Sequence, residues 1–266
     1  MTEPEWMAGC AGPETRRKQA DFDGLVNYHA SVCEGIYRRN GRVSDQPYLY
    51  VDCHTGPGML EYEGERFPGS PLIAIRALQS RVLPARTVHF ETDMTRFDLA
   101  SSAIHAADSS SWVSLQPFER GLFNLGRDIG PQEWMNGLIY SDPSRGRIPV
   151  GTFNEIARLW PRVDFLAYVF ANQHYKRVGR RLAEDVHAVN KKHVLIRELA
   201  GAMETTFILW SDFPFGEWRA RGFHLLSSSR GQRELARATY SAGEQVALFN
   251  QPLFQEGDDV LPAASP

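Results

Sequence analysis

The segment Tyr48–Gly58 reads Tyr-Leu-Tyr-Val-Asp-Cys-His-Thr-Gly-Pro-Gly, and the interpretation of the whole chain starts from it. Its apolar run predicts a short strand over Tyr48–Val51 that ends at the acidic Asp52. Gly56 and Gly58 follow, and glycine lets a backbone turn sharply and come close to a ligand without a Cβ clash. A carboxylate beside such a bend can hold an amino group or a ribose hydroxyl. The pattern therefore indicates a nucleotide-binding loop, with a plain β-turn beside a solvated aspartate as the alternative.

A second predicted strand, Thr87–Phe90, also ends in an acid, Glu91. In a doubly wound sheet, ligands bind at the carboxyl ends of the strands, so we expect Glu91 to lie beside the first loop and to bond ribose hydroxyls. A dinucleotide fingerprint fits poorly, because G-x-G-x-x-G would open directly into a helix. Here the residues Met59–Pro68 separate Gly58 from the next predicted helix, and the chain has no P-loop motif.

Short apolar strands alternate with helices along the chain, which predicts an α/β fold with a mostly parallel sheet and helices on both faces. The predicted helices are Asp21–Arg39, Ser70–Ser80 (with Ser70 as N-cap), Arg96–Ala106, Thr152–Trp160 and a long basic helix near Arg177–Asn190. The predicted strands are Tyr48–Val51, Thr87–Phe90, Trp112–Leu115, Gly137–Tyr140 and Asp164–Phe170, with Phe207–Trp210 and Phe223–Ser227 as a C-terminal antiparallel pair. One domain is expected over residues 15–255, between a flexible N-terminus (1–14) and a flexible tail (256–266).

Composition narrows the classes of function. The 266 residues include 29 basic and 32 acidic ones, for a formal net charge of −3, so nucleic-acid binding would need a local basic patch. No apolar run reaches the roughly 20 residues of a membrane helix, and no membrane association is expected. The three cysteines form no Cys-x-x-Cys pair, which favours a reducing cytoplasm over a disulfide framework. The histidines lack a nearby set of carboxylates, so no metal site is predicted.

Two linked motifs carry a family resemblance. Val51-Asp-Cys-His-Thr-Gly-Pro-Gly58, a polar insertion and then Phe67-Pro-Gly-Ser-Pro-Leu-Ile-Ala74 resemble the start of the three-Cys-motif partner proteins. The same stretch is similar to the bacterial methyltransferases that modify adenine N6 in large-subunit ribosomal RNA. The resemblance implies a Rossmann-like class I methyltransferase fold, S-adenosyl-L-methionine as cofactor and an amino group as methyl acceptor. The predicted cofactor-binding residues are Asp52, His54, Gly56, Pro57, Gly58, Ser70, Glu91 and Phe118.

The fourth predicted strand is followed by Asp142, Pro143 and Ser144, where amino methyltransferases carry Asp-Pro-Pro-aromatic. The exocyclic nitrogen of adenine is a poor nucleophile, because its lone pair delocalises into the ring. A carboxylate and a backbone carbonyl that accept its N–H groups favour a tetrahedral nitrogen, so catalysis rests on placement and electrostatics. Asp142, Pro143 and Ser144 are the predicted catalytic residues. Ser144 and Arg145 replace the second proline and the aromatic residue, which leaves adenine N6 open as acceptor, and a strand that simply ends in a turn is the alternative.

Basic and polar side chains near the expected active edge are candidates for gripping the phosphates of RNA or DNA. The predicted substrate-binding residues are Lys18, Arg145, Arg147, Asn172, Lys176 and Arg177. A solvated helix face explains any single one of them equally well. Three functions therefore stand side by side: a methyltransferase for a nucleic-acid base, a methyltransferase for a small molecule or protein, and a non-catalytic interaction module of a mobile-element or defence system.

Overall fold

A computed structural model describes residues 11–40, 46–142, 147–170, 182–199, 205–213 and 218–239 of the chain. The chain divides into two compact units, Met1–Tyr140 and Ser141–Pro266.

The first unit contains a parallel sheet in the order β5-β4-β1-β6. A separate antiparallel hairpin, β2–β3, is inserted after β1. The elements in chain order are α1 (Pro13–Asn40), β1 (Tyr48–Asp52), β2 (Met59–Tyr62), β3 (Glu65–Pro68), α2 (Ser70–Gln79), β4 (Ala85–Glu91), α3 (Met94–Ala107), β5 (Trp112–Leu115), α4 (Phe118–Ile129) and β6 (Gly137–Ser141), whose last residue belongs to the second unit.

Helices cover both faces of this parallel sheet. On one face, Ile75 of α2 and Ala100 of α3 form a buried cluster against which Val113 of β5 packs. Successive residues of a strand point to opposite faces, and Val113 is paired with His89, so Phe90 points to the other face. There α4 lies so close that a Cβ on Gly121 would come within 2.1 Å of the Phe90 ring. Burial on both faces explains why every residue of β1 is buried.

The second unit is antiparallel in its strands, in the order β7-β9-β8-β10. Phe153 stacks on Phe165 with ring centroids 4.4 Å apart, which fixes the first helix of the unit on its first strand. The buried indole of Trp210 donates to the carbonyl of Val186 at 3.0 Å. The elements are α5 (Val150–Leu159), β7 (Val163–Phe170), α6 (Leu182–Ala188), β8 (His193–Arg197), β9 (Thr205–Ser211), a 3-10 helix (Trp218–Arg221), β10 (Phe223–Leu225) and α7 (Ser229–Thr239).

These arrangements confirm the predicted Rossmann-like α/β fold, with a parallel sheet, helices on both faces and antiparallel strands near the C-terminal end. Among the predicted helix boundaries, the start of α1 differs most from the structure: the helix begins at Pro13 and not at Asp21. The run before Asp21 is polar and shows no apolar stripe, which hid this start. A hydrogen bond of 3.2 Å from the Gly12 amide to the hydroxyl of Thr15 lies at its beginning.

The C-terminal strands pair differently from the prediction. The segments Phe207–Trp210 and Phe223–Ser227 do contain strands, but β8 lies between them and is antiparallel to both. The sequence does not reveal β8 readily, because it follows Lys191 and Lys192 and looks like part of a basic stretch. Of the long basic helix near Arg177–Asn190, α6 accounts for 182–188, and residues 171–181 lie outside the described residues.

Helices α4 and α7 and the hairpin were not predicted from the sequence. Both helices contain glycine, which has low helix propensity, and α7 is largely polar. Gly121 and Gly231 are present because the helices pack closely on their neighbours there. The hairpin has the sequence of a polar insertion. Its turn uses Glu63 and Gly64 at positive φ, 52° and 76°, a combination that suits the tight turn between two antiparallel strands.

The packing of α7 gives a first testable prediction. A Cβ added to Gly231 would lie 2.0 Å from the backbone oxygen of Leu225, which cannot move aside as a flexible side chain can. We expect Gly231→Ala to lower the free energy of unfolding by about 1–3 kcal/mol or more, because of this overpacking. The matched control is Gly151→Ala in α5, where a Cβ meets nothing within 4 Å. It should be neutral or stabilising by up to about 1 kcal/mol. Urea denaturation measures both, and equal stability of the two variants would contradict the packing of α7.

Candidate functional site

The loop Cys53–Gly58 leaves β1 at the carboxyl edge of the parallel sheet. Its backbone continues the hydrogen bonding of β1 towards both neighbouring strands. The amide of Cys53 donates to the carbonyl of Tyr140 in β6 at 2.9 Å, and the amide of Thr55 donates to that of Phe90 in β4 at 3.1 Å. The loop is therefore seated at the position where ligands bind in open parallel sheets.

Asp52 holds the start of this loop. Its carboxylate is fully buried and accepts hydrogen bonds from the Tyr50 hydroxyl at 3.2 Å, the Ser70 hydroxyl at 2.6 Å and the backbone amide of His54 at 3.1 Å. The prediction of Ser70 as N-cap of α2 is wrong. Gly69 occupies that position, and Ser70 is the first helical residue, with its hydroxyl bonded to Asp52. Asp52 thus ties β1, the loop and α2 together.

Glu91 holds the loop from the neighbouring strand. Its Oε2 accepts the amide of Gly56 at 2.9 Å, and its Oε1 accepts the amides of Thr92 and Asp93 at 2.8 and 3.0 Å. Bonds from backbone amides to an ionised carboxylate are stronger than neutral ones. The expectation that Glu91 lies beside the first loop is therefore confirmed by a direct contact between the two.

The two glycines of the loop serve different purposes. Both have a positive φ, 63° at Gly56 and 81° at Gly58, a region that side chains with a Cβ rarely adopt. A Cβ on Gly58 would press against Ala100 and Ala103 of α3 at 3.3 Å. A Cβ on Gly56 would meet no atom within 4 Å. Gly58 therefore permits close packing of the loop on α3, whereas Gly56 borders open space.

Thr55 and His54 are two further residues of the loop with side-chain features of interest. The hydroxyl of Thr55 is buried and has no hydrogen-bond partner among the described residues, so it is a polar group without a protein partner there. The His54 ring lies 5.0 Å from the ring of Phe118, the first residue of α4. Thr55 and Tyr50 were not among the predicted site residues, although both lie in or beside the motif.

Burial keeps the reactive groups around Asp52 protonated. Burial raises the pKa of the Tyr50 hydroxyl well above its usual value, and the charge of Asp52 raises it further. Burial also raises the pKa of the Cys53 thiol, with added contributions from Asp52 and Glu119. A thiol nucleophile needs a lowered pKa, so Cys53 is a packing residue and not a nucleophile. Neither Tyr50 nor Cys53 therefore adds a negative charge beside Asp52.

His89 lies on β4 two residues before Glu91 and is fully buried. Neither of its ring nitrogens has a hydrogen-bond partner in the part of the chain that the structure describes. Its pKa is lowered to about 3, mainly by burial; the charge of Asp108 opposes this effect and His105 adds to it. The folded protein therefore holds a neutral imidazole beside the Tyr50 ring, with centroids 5.9 Å apart.

The predicted catalytic residues fall largely outside the described residues. Asp142 follows β6 directly and is half-buried. Pro143 and Ser144 lie outside the described residues. Their catalytic role stays a prediction from the sequence.

The predicted substrate-binding residues are spread over both units. Lys18 is half-buried on α1. Arg147 forms a two-point ion pair with the buried Asp185, at 3.1 and 2.6 Å, which fixes its guanidinium on α6. Its role in substrate binding stays a prediction, as does that of Lys18. Arg145, Asn172, Lys176 and Arg177 lie outside the described residues.

Metal-binding and membrane-spanning features are absent from the described part of the chain. Its residues contain no group of three or more histidine, cysteine, aspartate or glutamate side chains placed to hold a metal ion. None of the helices described above combines the length and apolarity that crossing a membrane requires.

Comparison with known proteins gives structural matches only. No protein-family model matches the chain, and no curated protein sequence matches it. The protein LPL1258 from Legionella pneumophila matches with a TM-score of 0.55 and 16% identity, over 75% of this chain and 88% of its own. A methyltransferase from Geobacter sulfurreducens matches with a TM-score of 0.41 and 14% identity, over 74% and 96% of the two chains. The METTL16 MTase domain matches with a TM-score of 0.38 and 11% identity, over 69% and 67%. The Legionella protein shares the fold of this chain. The matches to the other two proteins have TM-scores below 0.5.

The buried His89 predicts how stability depends on pH. Below its ordinary pKa of 6.5 the unfolded chain binds a proton that the folded chain, with a pKa of about 3, does not. The contribution of His89 to stability is therefore complete above pH 6.5 and is lost as the pH falls towards 3. Between pH 7 and 5 this amounts to about 2 kcal/mol. Urea denaturation should show a smaller loss over this range for His89→Leu than for the wild type, and the exposed control His187→Gln should keep the wild-type loss. Identical losses in all three proteins would contradict a neutral, buried His89.

Proposed function

We propose that the chain is an S-adenosyl-L-methionine-dependent methyltransferase that acts on an amino group of a nucleic-acid base. The observation that carries this proposal is the loop Cys53–Gly58, which Asp52 and Glu91 hold by its backbone amides beside open space at Gly56. Such a loop suits a ligand that combines a nucleoside with an amino acid. The open space lies at the Gly56 backbone, where a side chain would exclude the ligand.

The residues of the loop fit this cofactor. Among the described residues only Gly56 donates to Oε2 of Glu91, so a lone pair of this oxygen stays available for a ribose hydroxyl. The hydroxyl of Thr55 is a buried donor without a partner in the described part of the protein. Asp52 acts as a positioning residue, because its carboxylate is buried on Ser70, Tyr50 and the loop backbone. The cofactor, when bound, supplies an electrophilic methyl group on a positively charged sulfur.

The acceptor is inferred from the sequence that follows β6. Asp142 and Pro143 stand where amino methyltransferases carry Asp-Pro. The Asp142 carboxylate would accept an N–H of the acceptor amino group and hold the nitrogen lone pair away from the ring system. The resemblance to the ribosomal RNA enzymes favours a base of nucleic acid as the carrier of that amino group. An enzyme can reach a base in a duplex only after the base has left the stack. Contacts to the surrounding phosphates hold the nucleic acid in position for this step.

One departure from the pattern favours a second candidate. Ser144 and Arg145 replace the second proline and the aromatic residue, so the ring that would stack on a base is missing there. A methyltransferase for a small molecule or a protein does not need that ring. The methyl-transfer experiment described below distinguishes a nucleic-acid acceptor from a small-molecule or protein acceptor.

Calorimetric titration with S-adenosylhomocysteine tests the loop. We expect Gly56→Ala to weaken binding at least about tenfold, because the Cβ enters the open space and opposes the positive φ. Gly64→Ala is the matched control: Gly64 also has a positive φ, and a Cβ added there would meet no atom within 4 Å, but it lies at the tip of the hairpin. It should bind within about twofold of the wild type.

The pair of variants separates the site from general strain. Equal weakening by Gly56→Ala and Gly64→Ala would show that strain, and not occupancy of the loop, lowers the affinity. Absence of binding to the wild type would contradict the proposed function.

Methyl transfer tests the acceptor side. Tritium from labelled S-adenosylmethionine should enter RNA or DNA with the wild type, and Asp142→Asn should lower the rate about 100-fold or more, as for removal of an electrostatic contact to the reacting group. Its affinity for S-adenosylhomocysteine should stay unchanged, because Asp142 is assigned to the acceptor. Transfer to protein or small-molecule fractions alone would favour the second candidate, and full activity of Asp142→Asn would remove Asp142 from the reaction.

A further inference from the structure

The two acids that hold the cofactor loop are occupied by the protein itself. The Asp52 side chain is fully buried, and its carboxylate accepts three hydrogen bonds, from Tyr50, Ser70 and His54. Glu91 is also buried, and its carboxylate accepts three backbone amides. Asp52 in particular cannot contact a ligand directly while these bonds are in place.

The proposed cofactor calls for an acid that a ligand can reach. S-adenosyl-L-methionine carries one carboxylate and two positive groups, the α-amino group and the sulfonium sulfur, so its net charge is positive. A cation that leaves water is stabilised when a carboxylate lies within hydrogen-bonding distance. Such a carboxylate has to be exposed, close to the loop and without an ion pair of its own.

Glu119 meets the first two of these conditions through the position of α4. Strand β5 ends at Leu115, which is paired with Glu91, so the residues that follow β5 lie at the carboxyl edge of the parallel sheet. Phe118 begins α4, and its ring is 5.0 Å from the ring of His54 in the loop. Glu119 is the next residue and is exposed. The start of α4 therefore brings an exposed acid beside the loop.

The charge of Glu119 acts on the loop and is not neutralised by an ion pair. The pKa of the buried Cys53 thiol is raised mainly by burial, then by Asp52 and then by Glu119, so the Glu119 carboxylate lies within electrostatic reach of the loop. In the part of the chain that the structure describes, Glu119 forms no ion pair and its carboxylate accepts no hydrogen bond. Asp93, an exposed acid that follows β4, is instead the N-cap of α3 and accepts the amide of Arg96 at 2.9 Å.

We propose that the Glu119 carboxylate binds the α-amino group of S-adenosyl-L-methionine. This inference rests on the proposed function, and it names the residue that holds the amino-acid part of the same cofactor. The sequence pattern associates such a contact with the acid that ends β1. In the structure that acid, Asp52, is buried on the loop backbone and on two hydroxyl groups, so it positions the loop while Glu119 contacts the ligand.

Calorimetric titration of the full-length protein with two ligands tests this contact. The ligands are S-adenosylhomocysteine and its deaminated analogue, in which hydrogen replaces the α-amino group. The test variant is Glu119→Gln, which keeps the size of the side chain and removes its charge. The matched control is Glu133→Gln, because Glu133 is exposed and precedes β6, at the opposite edge of the same parallel sheet. Thermal denaturation checks the fold of both variants, since an acid in the first turn of a helix also stabilises that helix.

We expect the wild type to bind S-adenosylhomocysteine at least about tenfold more tightly than the deaminated analogue, because hydrogen bonds between charged groups are among the stronger polar contacts. Glu119→Gln should lose most of this preference. Its affinity for S-adenosylhomocysteine should fall about tenfold, whereas its affinity for the analogue should stay within about twofold of the wild type. Glu133→Gln should keep the wild-type preference.

Three results would overturn the inference and leave the proposed function standing. They are a wild type that binds both ligands equally well, a Glu119→Gln variant that keeps the full preference, and equal weakening of both ligands by Glu119→Gln, which a purely structural role would produce. Failure of the proposed function looks different, because the wild type would then bind neither ligand, and the inference would fall with it.

Discussion

The structure of the candidate site depends on two buried carboxylates, each of which accepts a backbone amide of the same loop. A carboxylate removed from water is costly unless hydrogen bonds replace its hydration. Asp52 and Glu91 receive those bonds from His54, Gly56 and the start of α3, together with two hydroxyl groups. The loop conformation and the burial of the two acids are therefore linked through these hydrogen bonds.

This mutual dependence explains the residue types of the loop. The Gly56 amide reaches Glu91 only when the chain turns through a positive φ, and Gly58 turns again while it packs on α3. The same network extends to α2 through Ser70, so the first helix after the loop is fixed by the acid that precedes it. A loop held in this way needs little rearrangement when a ligand binds, which lowers the cost of binding. The open space at Gly56 is then already formed before a ligand binds.

The parallel part of the fold and the centre of the site could be predicted from the sequence, because local patterns encode them. An apolar run that ends in Asp52, a second that ends in Glu91 and the intervening glycines are all contiguous signals. The role of Ser70 could not be predicted, since a serine at a helix start looks the same whether it caps the helix or bonds a buried acid. Helix α4 was hidden because its contact with Phe90 requires a glycine, which lowers the helical signal.

The central claim is that the loop Cys53–Gly58 is the binding surface for a sulfonium nucleoside. A crystal structure of the protein grown with S-adenosylhomocysteine tests it most directly. The account predicts electron density for the ligand against Gly56, with a ribose hydroxyl within hydrogen-bonding distance of the Glu91 carboxylate. Density for the ligand at another place on the fold, or a loop that stays empty at saturating ligand, would contradict the account.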